Sequence, residues 1–136
     1  MKICISSLGS DLNSLIDPRF GRAQYFIFLD EKGNLDEVIS NPGILARGGA
    51  GITAAQRVVD KNIEILITGN IGPNAVAVLG TTKIKIFLCP FNVKVKEAFS
   101  MWQKDKLTQV KESSVPGHFG MGQGCRRGSG GPKNRL

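Results

Sequence analysis

Two groups of glycines and a pair of arginines are the residues of this chain best suited to binding chemistry. Gly48, Gly49 and Gly51 stand directly ahead of Ile52, Ala55 and Val59, which recur at helical spacing. A helix that opens on glycines leaves several main-chain N–H groups and the positive end of its dipole unshielded, a surface that attracts anions. Gly69 and Gly72 repeat the arrangement ahead of Pro73, a good first helical residue, with Asn70 and Asn74 as neutral hydrogen-bonding neighbours. Arg19 and Arg22 flank Phe20-Gly21 and bring forked, permanently charged donors suited to oxyanions or to the sulfides of a cluster. Any one glycine reads more simply as a tight turn, but their joint placement points to a binding edge. Phe20 is expected to anchor its loop in the core. Asp17 is either a turn residue or a partner for one of the arginines.

Metal ligands are sparse. Cys4, Cys89 and Cys125 are scattered without a CxxC, and His118 is the single histidine. Cys89 ends a strand beside Pro90, where a thiolate could reach iron, with an inert, partly buried thiol as the alternative. His118 and Cys125, amid glycines near the C-terminus, could wrap a soft metal ion.

The elements that must position these residues follow from period and punctuation. Lys2 to Ser6 alternates as a first strand, and residues 7–22 form a loop. Tyr25 to Leu29 and Leu35 to Ser40 are strands joined by the Asp30–Asn34 turn, hence an antiparallel pair. Helix one runs from the glycines to near Asn62, strand four from Ile63 to Thr68, and helix two over Ala75 to Leu79. Strand five spans Ile84 to Leu88, and Val95, Ala98, Phe99 and Trp102 mark helix three behind an Asn92 cap. The order βββαβαβα predicts a mixed five-stranded sheet in an α/β fold, with parallel crossover units in its second half. The loop ahead of strand two and the starts of helices one and two then share one sheet edge, where open α/β sheets bind ligands.

Composition bounds the rest. The chain has 136 residues and a net charge of +7, from 18 Lys+Arg against 11 Asp+Glu. One domain over residues 1–115 is expected, followed by a glycine-rich basic tail, 116–136, with too little apolar surface to offset backbone ordering. Arg126, Arg127, Lys133 and Arg135 give the tail four positive charges, so the body is nearly balanced. No run of apolar residues is long enough to span a bilayer, no leader pattern opens the chain, and unpaired thiols fit a reducing compartment; a cytoplasmic, unprocessed protein with no membrane partner is expected.

Three motifs, Asp17-Pro18-Arg19-Phe20-Gly21-Arg22-Ala23, Gly48-Gly49-Ala50-Gly51-Ile52 and Gly69-Asn70-Ile71-Gly72-Pro73-Asn74-Ala75, resemble those of the dinitrogenase iron–molybdenum cofactor biosynthesis domain family. Asn41-Pro42 belongs to the same pattern, and the resemblance covers residues 1 to about 110. It implies a ribonuclease-H-like three-layer fold and, in members serving nitrogenase, binding or carriage of iron–sulfur precursors or finished cofactor. Cofactor carriers of this kind commonly place a histidine before the Phe-Gly of the first motif and another before the glycines of the second. This chain has Arg19 and Arg47 at or near those points, and an arginine is no ordinary metal ligand. Recognition of an anionic cluster without direct ligation at the cleft is therefore the sharper expectation, with protein donors or acceptors of the cluster as further partners.

Other function classes find less support. Two-metal nuclease chemistry needs clustered carboxylates, and the first strand has none; a nucleophile–base set has no histidine outside the tail. Catalysis is not expected. The alternative is a nucleic-acid-binding or regulatory module acting through the basic tail, which the body does not support with an exposed aromatic platform.

Overall fold

Alternation along the strands divides their side chains between two cores. The computed structural model describes residues 1–45, except the Leu45 side chain, and 48–110. Arg47, His118 and Cys125, and with them the basic tail, lie outside the described residues.

Three strands open the chain: β1 (Lys2–Ser7), β2 (Tyr25–Asp30) and β3 (Leu35–Ser40). A single 3-10 turn at Pro42–Leu45 leads towards α1 (Ala50–Asp60), and β4 (Ile65–Thr68), α2 (Pro73–Leu79), β5 (Lys85–Leu88), α3 (Val95–Gln103) and β6 (Thr108–Val110) follow. The sheet order is β3-β2-β1-β4-β5-β6. β1, β4 and β5 are parallel, whereas β2 is antiparallel to both β1 and β3. The fold is thus mixed α/β with six strands and three α-helices among the described residues.

The expected five-stranded sheet is corrected by β6, which pairs antiparallel with β5 through Ile86↔Val110 and Leu88↔Thr108. Thr108-Gln109-Val110 has no apolar alternation of its own, and its order comes from the hydrogen-bonding edge that β5 offers. A second correction concerns α3. Asn92 is in the left-handed region, φ 61°, and does not cap the helix; Lys94 is the cap residue, and its main-chain N–H donates to Glu97 Oε1 at 2.9 Å. β4 and β5 begin at Ile65 and Lys85, later than Ile63 and Ile84.

On one sheet face Cys4, Phe26, Phe28, Leu66 and Ile86 meet Ala54, Ala55 and Val58 of α1 and Ala75 and Leu79 of α2. On the other Ile3, Ile5, Ile27, Leu29, Ile65 and Ile67 meet Val95, Ala98 and Phe99 of α3. Three layers result, helix–sheet–helix, as period-two strands buried on both faces require. No helix among the described residues is long and apolar enough to cross a membrane.

Candidate functional site

The carboxyl ends of β1, β4 and β5 share one edge with the start of β2, and the three glycine-bearing segments meet there. Their main chains are laced together. Arg19 forms a parallel bridge with Asn70, the Phe20 N–H donates to Asn70 O at 3.2 Å, and the Asn70 N–H donates to Pro18 O at 2.6 Å. This contact is close enough to require a glycine: a Cβ on Gly69 would lie 2.6 Å from Pro18 Cα. Gly21 plays the same part against the second motif, where a Cβ would lie 2.9 Å from the Gly51 nitrogen. Asn41 completes the assembly, buried, with its side-chain amide donating to Gly21 O at 3.0 Å and its Oδ1 accepting from the Gly43 N–H at 2.8 Å.

Between these segments lies a cavity of about 440 Å³, lined by Arg19, Phe20, Gly21, Arg22, Gly49, Ala50, Gly51 and residues 70–75. Nine of the ten expected cleft residues, including Asn70, Gly72 and Asn74, line it together. Gly48 does not: it is exposed, and a Cβ there would meet nothing within 4 Å. Gly49 caps α1 with φ 69° and without a side-chain cap, so the first N–H groups of the helix have no partner within it. The positive end of an 11-residue helix therefore opens on the cavity. Gly72 caps α2, again without a side-chain cap.

Phe20 forms the floor. It is 2% exposed, and its ring centroid is 5.4 Å from that of Phe26, so it anchors the loop as expected from sequence. Arg22 donates from Nη1 to Ile44 O at 3.2 Å, which ties one side of the cleft to the 3-10 turn. Arg19 is 58% exposed and paired with Asp17, from Nε to Oδ1 at 3.2 Å and from Nη2 to Oδ2 at 3.3 Å. Hydrogen bonding to that carboxylate, reinforced by its charge, holds the guanidinium pKa above its ordinary value.

Asp17 is the residue whose importance sequence reasoning understated. It is 0% exposed, and besides Arg19 it accepts the main-chain N–H groups of Arg19 at 3.0 Å and Gln24 at 3.2 Å. Next to it, Ser6 Oγ donates to Asp17 O at 2.6 Å and lies 2.9 Å from Thr68 Oγ1, joining the ends of β1 and β4 beneath the loop. The signal was present in the run Asp-Pro-Arg, since a carboxylate two residues before an arginine in a stiff turn has a partner in reach.

Cys89 is not brought to the cleft. It is 4% exposed within the core on the α3 face, its N–H donating to Thr68 O at 2.9 Å. Burial, with a smaller contribution from Glu97, pushes its thiol up to about 11, so it is protonated at neutral pH. Among the described residues no three His, Cys, Asp or Glu are grouped to hold a metal ion. What the cleft offers instead is two guanidinium groups, bare amides and two carboxamides, with no carboxylate among the described residues of its lining.

Known proteins are similar to this chain in structure and in sequence. The apo form of the orange protein from Desulfovibrio gigas superposes with a TM-score of 0.79 at 28% identity, covering 84% of this chain and 96% of that one. A NifB-like protein from Thermotoga gives 0.72 at 33% identity, covering 85% and 98%. An uncharacterized protein of Methanocaldococcus jannaschii is 26% identical over 102 residues, 73% of this chain and 86% of its own length. With the three motifs closed around one cavity and the model of the dinitrogenase iron-molybdenum cofactor family matched over residues 1–105, the chain belongs to that family.

Proposed function

We propose that this protein is a non-catalytic carrier that binds an anionic iron–sulfur or iron–molybdenum-type cluster, or its precursor, in the cleft between α1 and α2. The observation that carries this reading is the convergence of Arg19, Arg22 and the N-terminus of α1, which has no side-chain cap, on one cavity that no carboxylate lines among the described residues. Family membership and the likeness to the orange protein and the NifB-like protein support a role in handling such cofactors. Cluster sulfides are hydrogen-bond acceptors, and main-chain amides with guanidinium forks are donors of matching sign. Phe20, Ile71 and Ala75 give the cleft an apolar floor that excludes water from the inner side of the cargo. Because Cys89 faces the other core, the cleft works by contact outside the metal coordination sphere, and a cluster would arrive with its coordination already complete. Proteins that donate or accept the cluster are the natural partners. The three layers are proposed as a six-stranded member of the ribonuclease-H-like group, with the first 115 residues as its domain.

Anaerobic purification with metal and sulfide analysis, followed by titration with synthetic iron–sulfur and molybdenum–sulfide clusters, tests the reading. The wild-type chain is expected to bind, and a chain with Arg19→Ala and Arg22→Ala to bind at least tenfold more weakly, the scale of losing charge-assisted contacts. Equal titration curves for the two proteins, or no response from either, would contradict it.

A further inference from the structure

A fully buried carboxylate beside a site for anions is electrostatically the wrong sign. Asp17 lies in the turn that carries Arg19 into the cleft, is 0% exposed, and partly neutralises the charge that should attract the cargo. Burying a carboxylate is costly unless hydrogen bonds compensate, and here four donors do: Nε and Nη2 of Arg19, and the N–H groups of Arg19 and Gln24. The two main-chain donors stand seven residues and two residues along from Asp17, so one side chain clamps both ends of the cleft loop. Its two bonds to the Arg19 side chain are taken from one edge of the guanidinium fork, and the arginine is otherwise 58% exposed.

We propose that Asp17 is the positioning residue of the cleft: it fixes the plane and direction of the Arg19 guanidinium, so that the remaining donors meet an anion without having to be ordered first. This inference rests on the carrier reading given above. An exposed arginine loses rotamer freedom when it binds, and one already held by a partner loses less. Asp17 therefore strengthens anion binding although its own charge opposes it. The two effects have opposite signs, which makes the proposal decidable.

The experiment uses the full chain with tetrathiomolybdate as probe, followed by visible absorption under anaerobic conditions. Asp17→Asn, nearly isosteric but without the charge, is expected to bind about tenfold more weakly than wild type, the loss typical of removing an orienting partner behind a ligand-contacting group. In an Arg19→Ala background the same substitution is expected to change affinity little, because the residue it acts through is gone. Arg19→Lys, which keeps the charge at an exposed position but lacks the fork, is expected to bind several-fold more weakly; if Asp17→Asn does not fold by circular dichroism, an Arg19→Lys chain that binds as tightly as wild type still overturns the proposal, because there is then no fork for Asp17 to orient. Binding by Asp17→Asn as tight as or tighter than wild type, additive losses in the double variant, or an unaffected Arg19→Lys would overturn the proposal. Where wild type binds and Arg22→Ala weakens binding while Asp17→Asn does not, the carrier reading stands and the role of Asp17 falls. A wild-type chain that does not bind the probe overturns both.

Discussion

At the residue scale, the glycines of this protein divide into those that let backbones touch and those that leave space. Gly69 belongs to the first kind, because a Cβ there would press on the main chain of Pro18, 2.6 Å away, and neither backbone can yield. Gly69→Ala is expected to lower stability by about 1–3 kcal/mol, the usual cost of overpacking, measured by urea unfolding. Gly48→Ala, with nothing near its Cβ, is expected to remain within about 0.5 kcal/mol of wild type. Similar losses for both would mean that the close approach of the first and third motifs is not what holds the edge together. The sequence alone marked these glycines as a group but could not separate them, since close approach between residues fifty apart leaves no trace in local spacing. For Asp17 the pairing with an arginine was legible in the run Asp-Pro-Arg but its burial was not: a carboxylate in a Pro-containing loop looks the same whether it faces water or is enclosed by four donors.

At the scale of elements, strands and helices were legible wherever their own apolar residues had a core to meet. β2 and β4 are near-continuous apolar runs because layers cover both sides, and α1 and α3 each show one apolar face because each has one core to meet. β6 and the start of α3 were not legible. Three residues without alternation become a strand only through a neighbouring edge, and Asn92, a good cap by type, stands in the left-handed region at φ 61° ahead of α3. Cys89 shows what such packing does to chemistry. Its position at the end of β5 suggested access to the cleft, yet the layer beneath α3 encloses the thiol and raises it from 9.0 to about 11. A thiol with a raised folded pKa stays protonated while its unfolded counterpart ionises, so the folded chain holds the extra proton and stability must fall as pH rises through that window. Stability is expected to decline between about pH 9 and pH 11. Cys4, fully buried and shifted in the same direction, adds to the decline. Cys89→Ala is expected to show a shallower decline in urea midpoint over this range, and an identical pH profile for the variant would show that the thiol does not titrate on unfolding.

Over the whole molecule, charge is sorted between the two ends of the sheet. At the end away from the cleft the N-terminal ammonium pairs with Glu31 at 3.3 Å, Lys61 with Glu37 at 2.6 Å, and Lys2 with Asp36 at 3.6 Å. At the cleft end Arg19, paired with the buried Asp17, and Arg22 line a cavity with no carboxylate among the described residues of its lining. A net charge of +7 therefore says little by itself; on the proposed function it is the placement of these two guanidinium groups and the α1 N-terminus that would give the cleft a field favourable to anions. Main-chain amides are the reporters nearest to that field. Titration of uniformly 15N-labelled protein with tetrathiomolybdate, followed by amide chemical shifts, asks whether an anionic cargo is held there. Shifts concentrated at Arg19, Gly21, Gly49, Gly51, Asn70 and Gly72, with Glu31 and Glu64 unmoved, are the result expected of a cargo held at the cleft. Shifts confined to the opposite end, or none at saturating probe, would contradict it.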